Sequence, residues 1–191
     1  MSATADESPA PLPADTTIQP PVRLSDSNLW NLQRAYYDQA GADAWETGIV
    51  PSFITTNAFL ARQYAHLCLQ FIRDFAAAPG SALVADEPIY IVELGSGHGK
   101  LGFLILRQLE LLRSEYPTVR FEQLKYVMTD FTVVNVRYWE QHTSLREYVA
   151  SGQLDFATFD AENDERLRLC HSGVEISAQT VRCVTIQPSA K

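Results

Sequence analysis

Ile89-Tyr90-Ile91-Val92-Glu93-Leu94-Gly95-Ser96-Gly97-His98-Gly99 is the stretch on which the reading of this chain turns. Its first six residues form a short apolar, β-branched run, the pattern of a parallel strand buried on both faces. The run then breaks into alternating glycines, which let the backbone turn sharply and let a ligand approach the main chain with no Cβ between them. Beyond the glycines, Leu101, Leu104, Ile105, Leu109 and Leu112 recur at helical spacing. A helix starting there points unpaired N–H groups and a partial positive charge at the loop.

Downstream, Lys125-Tyr126-Val127-Met128-Thr129-Asp130 reads as a second strand and residues 133–150 as a helical region, with Gly152 beyond its end. Leu154-Asp155-Phe156-Ala157-Thr158-Phe159 reads as a third strand closed by Asp160. A short helix is expected near Asn163 to Leu169, and a fourth strand over Val181 to Ile186. This β-α-β-α-β series predicts an α/β fold, a parallel sheet with helices on both faces in a three-layer αβα sandwich. Such sheets bind ligands at the carboxyl ends of their strands.

Upstream, Ser25, Asp26 and Ser27 offer caps for a helix over residues 29–37, which Gly41 ends, and a loop runs through Trp45, Gly48 and Pro51. Thr55 or Thr56 is expected to cap a long helix whose apolar face is Leu60, Tyr64, Leu67, Phe71 and Phe75, and Pro79-Gly80 to stop it. The expected organisation is a disordered Pro-rich acidic tail over 1–24, N-terminal helices over 25–80 and a sheet domain over 81–191.

Composition narrows the function. Hydrophobic content of 46% with 20% charged is that of a soluble globular protein. A net charge of −8 and the lack of any basic run argue against nucleic acid and against anionic membranes. The first 22 residues carry five prolines, three acids and no base, which is neither a secretory signal nor a transit peptide. These features point to a cytoplasmic protein. Cys68, Cys170 and Cys183 are scattered and no Cys/His spacing suggests a metal site. Cys170 and His171 are neighbours in sequence, which does not supply the geometry of a catalytic pair.

Three nucleotide loops compete for the glycine run. A phosphate-binding GxxxxGK[ST] loop fails because Leu94 replaces its first glycine and Leu101 its final Ser or Thr. A dinucleotide GxGxxG is present formally at Gly97 to Gly102, but two residues too late, since the strand already ends at Leu94-Gly95. The third reading uses Glu93, whose charge at the strand end would repel a pyrophosphate and attract a ligand carrying a sulfonium and an ammonium.

That ExGxGxG pattern after an apolar strand resembles motif I of class I S-adenosylmethionine-dependent methyltransferases. The resemblance covers about residues 25–180. It implies cofactor contacts from Glu93, Gly95, Ser96, Gly97 and Gly99, with Asp130 accepting from the ribose hydroxyls and Phe131 lying against the adenosine. It further implies that Asp160 accepts from the adenine amino group and that the N–H of Ala161 meets the ring. Each has an ordinary alternative: Asp130 as a turn residue, Phe131 as core, and Asp160 as a helix cap. In such enzymes the region holding Tyr36-Tyr37-Asp38 and Ile54-Thr55-Thr56-Asn57 often closes over the cofactor, and simple packing is the competing role. The aromatic, threonine-rich lead-in is also similar to MidA-type methyltransferases, some of which methylate protein arginine.

The family's sheet has seven strands, so the resemblance implies a Rossmann-like domain here that is incomplete, with about four strands, and a chain truncated at its C-terminus. No catalytic base can be named. The expected function is methyl transfer to an unidentified acceptor, small molecule or protein, or provision of the cofactor-binding half of such an enzyme. A non-catalytic cofactor- or partner-binding module is the second hypothesis, and an NAD-dependent oxidoreductase the third. The edge of the fourth strand is expected to be open to pairing with another chain.

Overall fold

The computed structural model describes residues 20–78 and 87–177, together with the backbone of 183–186. The features expected at residues 1–19, at Pro79-Gly80 and at Val181-Arg182 lie outside the described residues. The chain divides into two compact units, Met1–Gln39 and Ala40–Lys191. In the first, a 3-10 turn at Leu24–Asp26 leads into α1 (Leu29–Ala40). Ser27 Oγ accepts from the Leu29 N–H at 3.2 Å and the Trp30 indole N–H donates to the Leu24 carbonyl at 2.6 Å. The first bond satisfies a backbone donor that a helix start leaves unpaired, and the second ties the indole back to the preceding turn.

The second unit runs α2 (Asp43–Glu46), α3 (Ala58–Ala77), β1 (Ile89–Leu94), α4 (Lys100–Leu112), β2 (Leu124–Asp130), α5 (Val133–Gln141), α6 (Arg146–Ala150), β3 (Leu154–Thr158), β4 (Arg166–Arg168), β5 (Glu175–Ser177) and β6 (Cys183–Ile186). Four strands form a sheet in the order β3-β2-β1-β6, every pair parallel. The expected strands are all present, and β6 lies at one edge beside β1. The register pairs Glu93 with Met128 and Asp130 with Thr158, which brings the carboxyl ends of β1, β2 and β3 level.

Alternation along the strands gives the sheet two different faces. Ile89, Ile91, Leu124, Tyr126, Met128, Leu154 and Phe156 join Ala61, Ala65, Leu101, Ile105, Val136 and Trp139 in one buried core, under α3, α4, α5 and α6. On the other face Tyr90, Val92, Val127 and Ala157 pack against Leu167, Leu169 and Ile176 of an antiparallel hairpin, β4–β5. The third layer differs from expectation: among the described residues a hairpin occupies the place where helices were expected. The helix expected near Asn163 to Leu169 is strand β4 preceded by a turn. Its alternation is the reason, with Arg166 and Arg168 exposed and Leu167 buried, opposite Glu175, Ile176 and Ser177 with the same period. The Asp155 carboxylate accepts from the backbone N–H groups of His171 and Ser172, both at 2.9 Å, and so ties the hairpin turn to β3.

The expected helical region over 133–150 is present as two helices, α5 ending at His142 in extended conformation and α6 starting at Arg146. Two further expectations are corrected. The cap of α3 is Asn57, not Thr55 or Thr56; its side chain accepts from Leu60 N–H at 3.0 Å. The inward face of α3 is Ala61, Ala65, Cys68, Leu69 and Ile72, while Leu67 and Phe71 are 61% and 53% exposed. Small residues let α3 approach the leucines of α4 closely, which a bulky stripe does not.

Candidate functional site

The site is built where β1 and β2 end and α4 begins. Gly95, Gly97 and Gly99 have φ of +69°, +55° and +78°, so the loop reverses direction through left-handed conformations that other residues avoid. Backbone and side-chain bonds pin the loop to β2 and α5. The Ser96 N–H donates to the Thr129 carbonyl at 2.8 Å, and Thr129 Oγ1 donates to the Glu93 carbonyl at 2.8 Å. The Gly97 N–H donates to Asp130 Oδ2 at 3.0 Å, and Trp139 Nε1 donates to the Gly97 carbonyl at 3.0 Å.

Asp130 is therefore a joint of the loop as well as a strand-end acid. Its other oxygen accepts from Thr132 N–H at 3.1 Å. The Asn135 side chain and the Phe131 N–H lie close enough to the same carboxylate to favour its charged form as well. Burial raises the Asp130 pKa above the ordinary carboxylate range, and the Thr132 and Gly97 N–H groups partly offset that. Phe131 follows, half-buried.

Glu93 lies beneath the loop and is only 1% exposed. It shares a face with Tyr126, whose hydroxyl donates to Glu93 Oε2 at 3.1 Å. A Cβ on Gly102 would stand 2.7 Å from the same oxygen, so the first turn of α4 closes over the carboxyl. Glu93 Oε1, Ser96 Oγ and the Asn135 amide are buried with no hydrogen bond of good geometry, although Ser96 lies close enough to Glu93, and Asn135 to Asp130, to favour the charged carboxylates. Burial pushes the Glu93 pKa up to about 7, and the nearby Asp130 carboxylate adds to the rise. Among the described residues neither Glu93 nor Asp130 forms an ion pair with a cation.

The third strand end reaches the same place. The Phe159 N–H donates to the Asp130 carbonyl at 2.8 Å, so the turn holding Asp160 adjoins β2. Within that turn Asp160 accepts from Glu162 N–H at 3.1 Å and from Asn163 Nδ2 at 2.8 Å. Asp160 caps a turn, not a helix, and Ala161 is exposed beside it. Thus Glu93, Ser96, Gly97, Gly99 and Asp130 are tied in one network, Gly95 and Ala161 are open to solvent, and Asp160 stands next to Asp130's backbone. Ile54 is exposed, while Asn57 serves as the α3 cap.

Two tryptophans that sequence patterns do not single out complete the loop. Trp45 stacks on His98 with ring centroids 5.5 Å apart, and its indole lies 2.9 Å from where a Gly97 Cβ would be. Trp139, 1% exposed, holds the loop from below. Around Gly95, by contrast, a Cβ would meet nothing within 4 Å. Among the described residues no three His, Cys, Asp or Glu side chains are grouped to hold a metal, and no helix is long and apolar enough to cross a membrane.

No protein-family model matches the chain, and no curated protein matches it. Solved structures similar to it include two carbon methyltransferases. The DszA carbon methyltransferase is 24% identical over 71% of this chain and 34% of its own, with a TM-score of 0.38. The CurJ carbon methyltransferase is 17% identical over 71% of this chain and 38% of its own, with a TM-score of 0.31. The chain spans little more than a third of the length of either.

Proposed function

We propose that this chain is an S-adenosylmethionine-dependent methyltransferase, or the cofactor-binding half of one. The observation that carries the reading is the joint between Gly97 N–H and Asp130, which sets a glycine loop, a buried Glu93 and a strand-end acid into one cradle. Two buried carboxyls that form no ion pair among the described residues suit a positively charged ligand, because an uncompensated buried charge is costly. The unpartnered Glu93 Oε1 and the open space at Gly95 fit a ligand lying along the loop.

When bound, the cofactor supplies a methyl group already activated on sulfur. The residues then have to orient it and exclude water. In this reading Gly95, Ser96, Gly97 and Gly99 hold the amino-acid end, and Asp130 takes the ribose hydroxyls. Phe131 flanks the adenosine, Asp160 and Ala161 meet its base, and Glu93 favours the cation from below. The acceptor is a small molecule or a protein side chain, an arginine-methylating MidA-type enzyme being the narrower form.

The test is calorimetric titration with S-adenosylhomocysteine of the chain and of Gly97→Arg and Asp130→Ala, each checked for folding by near-UV circular dichroism. Binding that both substitutions weaken supports the reading. A folded chain that does not bind overturns it, and retained binding without transfer to any acceptor class leaves the non-catalytic module. Stabilisation by NAD(H) alone would turn the reading to the oxidoreductase.

A further inference from the structure

A cleft of about 410 Å³ opens on the His98–Lys100 side of the glycine loop, between the start of α4 and the end of α5. Its size falls within the range of small-molecule sites, roughly 300–1,000 Å³. Its lining is graded. Leu145 is buried at the floor and Phe103, Tyr138 and the stacked Trp45–His98 pair are partly buried around it, while Glu46 and Lys100 are exposed. The interior thus offers ring faces, and the mouth offers one acid and one base.

Among the described residues the two charges do not pair with each other. The Tyr138 hydroxyl donates to Glu46 Oε1 at 2.6 Å, which fixes the carboxylate against α5 and leaves its other oxygen facing away from that bond. Among the described residues neither Glu46 nor Lys100 makes an ion pair, although they line one cleft. A purely cationic ligand would meet Lys100 and a purely anionic one Glu46, each a repulsion. Burial and the nearby Lys100 lower the pKa of His98 against the opposing pull of Glu46, and its ring stacks on Trp45.

We infer that this cleft binds an aromatic α-amino acid, with the ring among Trp45, His98, Phe103 and Tyr138, the ammonium at Glu46 and the carboxylate at Lys100. The inference rests on the cleft alone and stands independently of the methyltransferase reading.

The probe is L-phenylalanine, compared with phenethylamine, which lacks the carboxylate, and 3-phenylpropionate, which lacks the ammonium. Affinities are read by calorimetry and by saturation-transfer NMR. L-Phenylalanine is expected to bind about tenfold more tightly than either truncated probe, the worth of one charge-assisted contact. Glu46→Gln should cost L-phenylalanine and phenethylamine about tenfold each and leave 3-phenylpropionate unchanged; Lys100→Met should do the reverse for the two truncated probes. Both positions are exposed, and unchanged melting temperatures verify that the variants fold. Equal affinities for the three probes, insensitivity to both substitutions, or no binding of L-phenylalanine overturns the assignment. Competitive displacement by S-adenosylhomocysteine overturns it too, since the cleft would then belong to the cofactor cradle. Simultaneous binding of both, or binding of L-phenylalanine where S-adenosylhomocysteine fails, upholds it.

Discussion

Gly99→Ala and Gly95→Ala make the same chemical change four residues apart in one loop, and the structure assigns them different costs. Both glycines are left-handed, so an alanine at either pays about 1–2 kcal/mol of backbone strain. At Gly95 that is the whole cost, because the added Cβ meets nothing within 4 Å. At Gly99 the Cβ would stand 2.5 Å from Met128 Cε and 2.9 Å from Trp139 Cδ1. The Met128 methyl can swing away, but the Trp139 ring is buried and its N–H is committed to the Gly97 carbonyl. Overpacking of this kind adds about 1–3 kcal/mol. Gly99→Ala is therefore expected to cost about 2–5 kcal/mol, a large part of a typical domain's stability. Urea unfolding at one pH, with m-values held equal, measures the difference directly. If Gly95→Ala destabilised as much as Gly99→Ala, the packing argument would be refuted. Gly95→Ala should instead report on S-adenosylhomocysteine affinity, with stability changed only modestly.

Other substitutions probe the buried acids and the core. The pKa of Glu93 is raised from 4.5 to about 7 in the folded chain, so the folded state holds its proton more tightly than the unfolded state. Its contribution is fully present below pH 4.5 and is lost as pH rises to 7, a decline of about 3 kcal/mol. Glu93→Gln should accordingly match the parent near pH 4 and exceed it in stability at pH 8; a constant difference across that range in thermal melts would contradict this. On α3, Ile72→Ala is expected to cost about 2–5 kcal/mol and Phe71→Ala about 0.5 kcal/mol or less, the opposite of what residue size suggests. Burial alone would raise the Asp155 pKa, but the His171 and Ser172 N–H groups outweigh it and hold it low. Asp155→Asn should therefore loosen the hairpin by about 1–3 kcal/mol at pH 7, with the gap closing on acidification below pH 3.8. Hydrogen exchange at residues 166–177 would register it.

The carrying features of the site were legible because they are local. A strand that breaks into glycines needs only its own sequence to turn, and acids at the ends of successive strands are one short step from the strand pattern. Tyr126 was in principle within reach, since its place in the strand puts it on the same face as Met128, the register partner of Glu93. Trp45 and Trp139 were not. Each meets Gly97 across more than forty residues of chain, and no periodicity encodes which indole will arrive there. Asp160 shows the ambiguity of a single acid: the same carboxylate that a resemblance gives to a ligand is engaged in its own turn.

By itself the sequence determined the strands of the parallel sheet with the helices between them and the place where the chain turns on glycine. Those follow from side-chain period, burial of apolar runs and the steric freedom of single residues, all set within a few neighbours. Only tertiary structure decided which face of α3 lies inside and what covers the second face of the sheet. α3 is apolar on two stripes, Ala61 to Ile72 and Leu60 to Phe75, and the contour of α4 selected the slimmer one. The Arg166–Ser177 hairpin took the other face because its alternating leucines and isoleucine fit a flat apolar surface, a match that exists only once the strands are side by side.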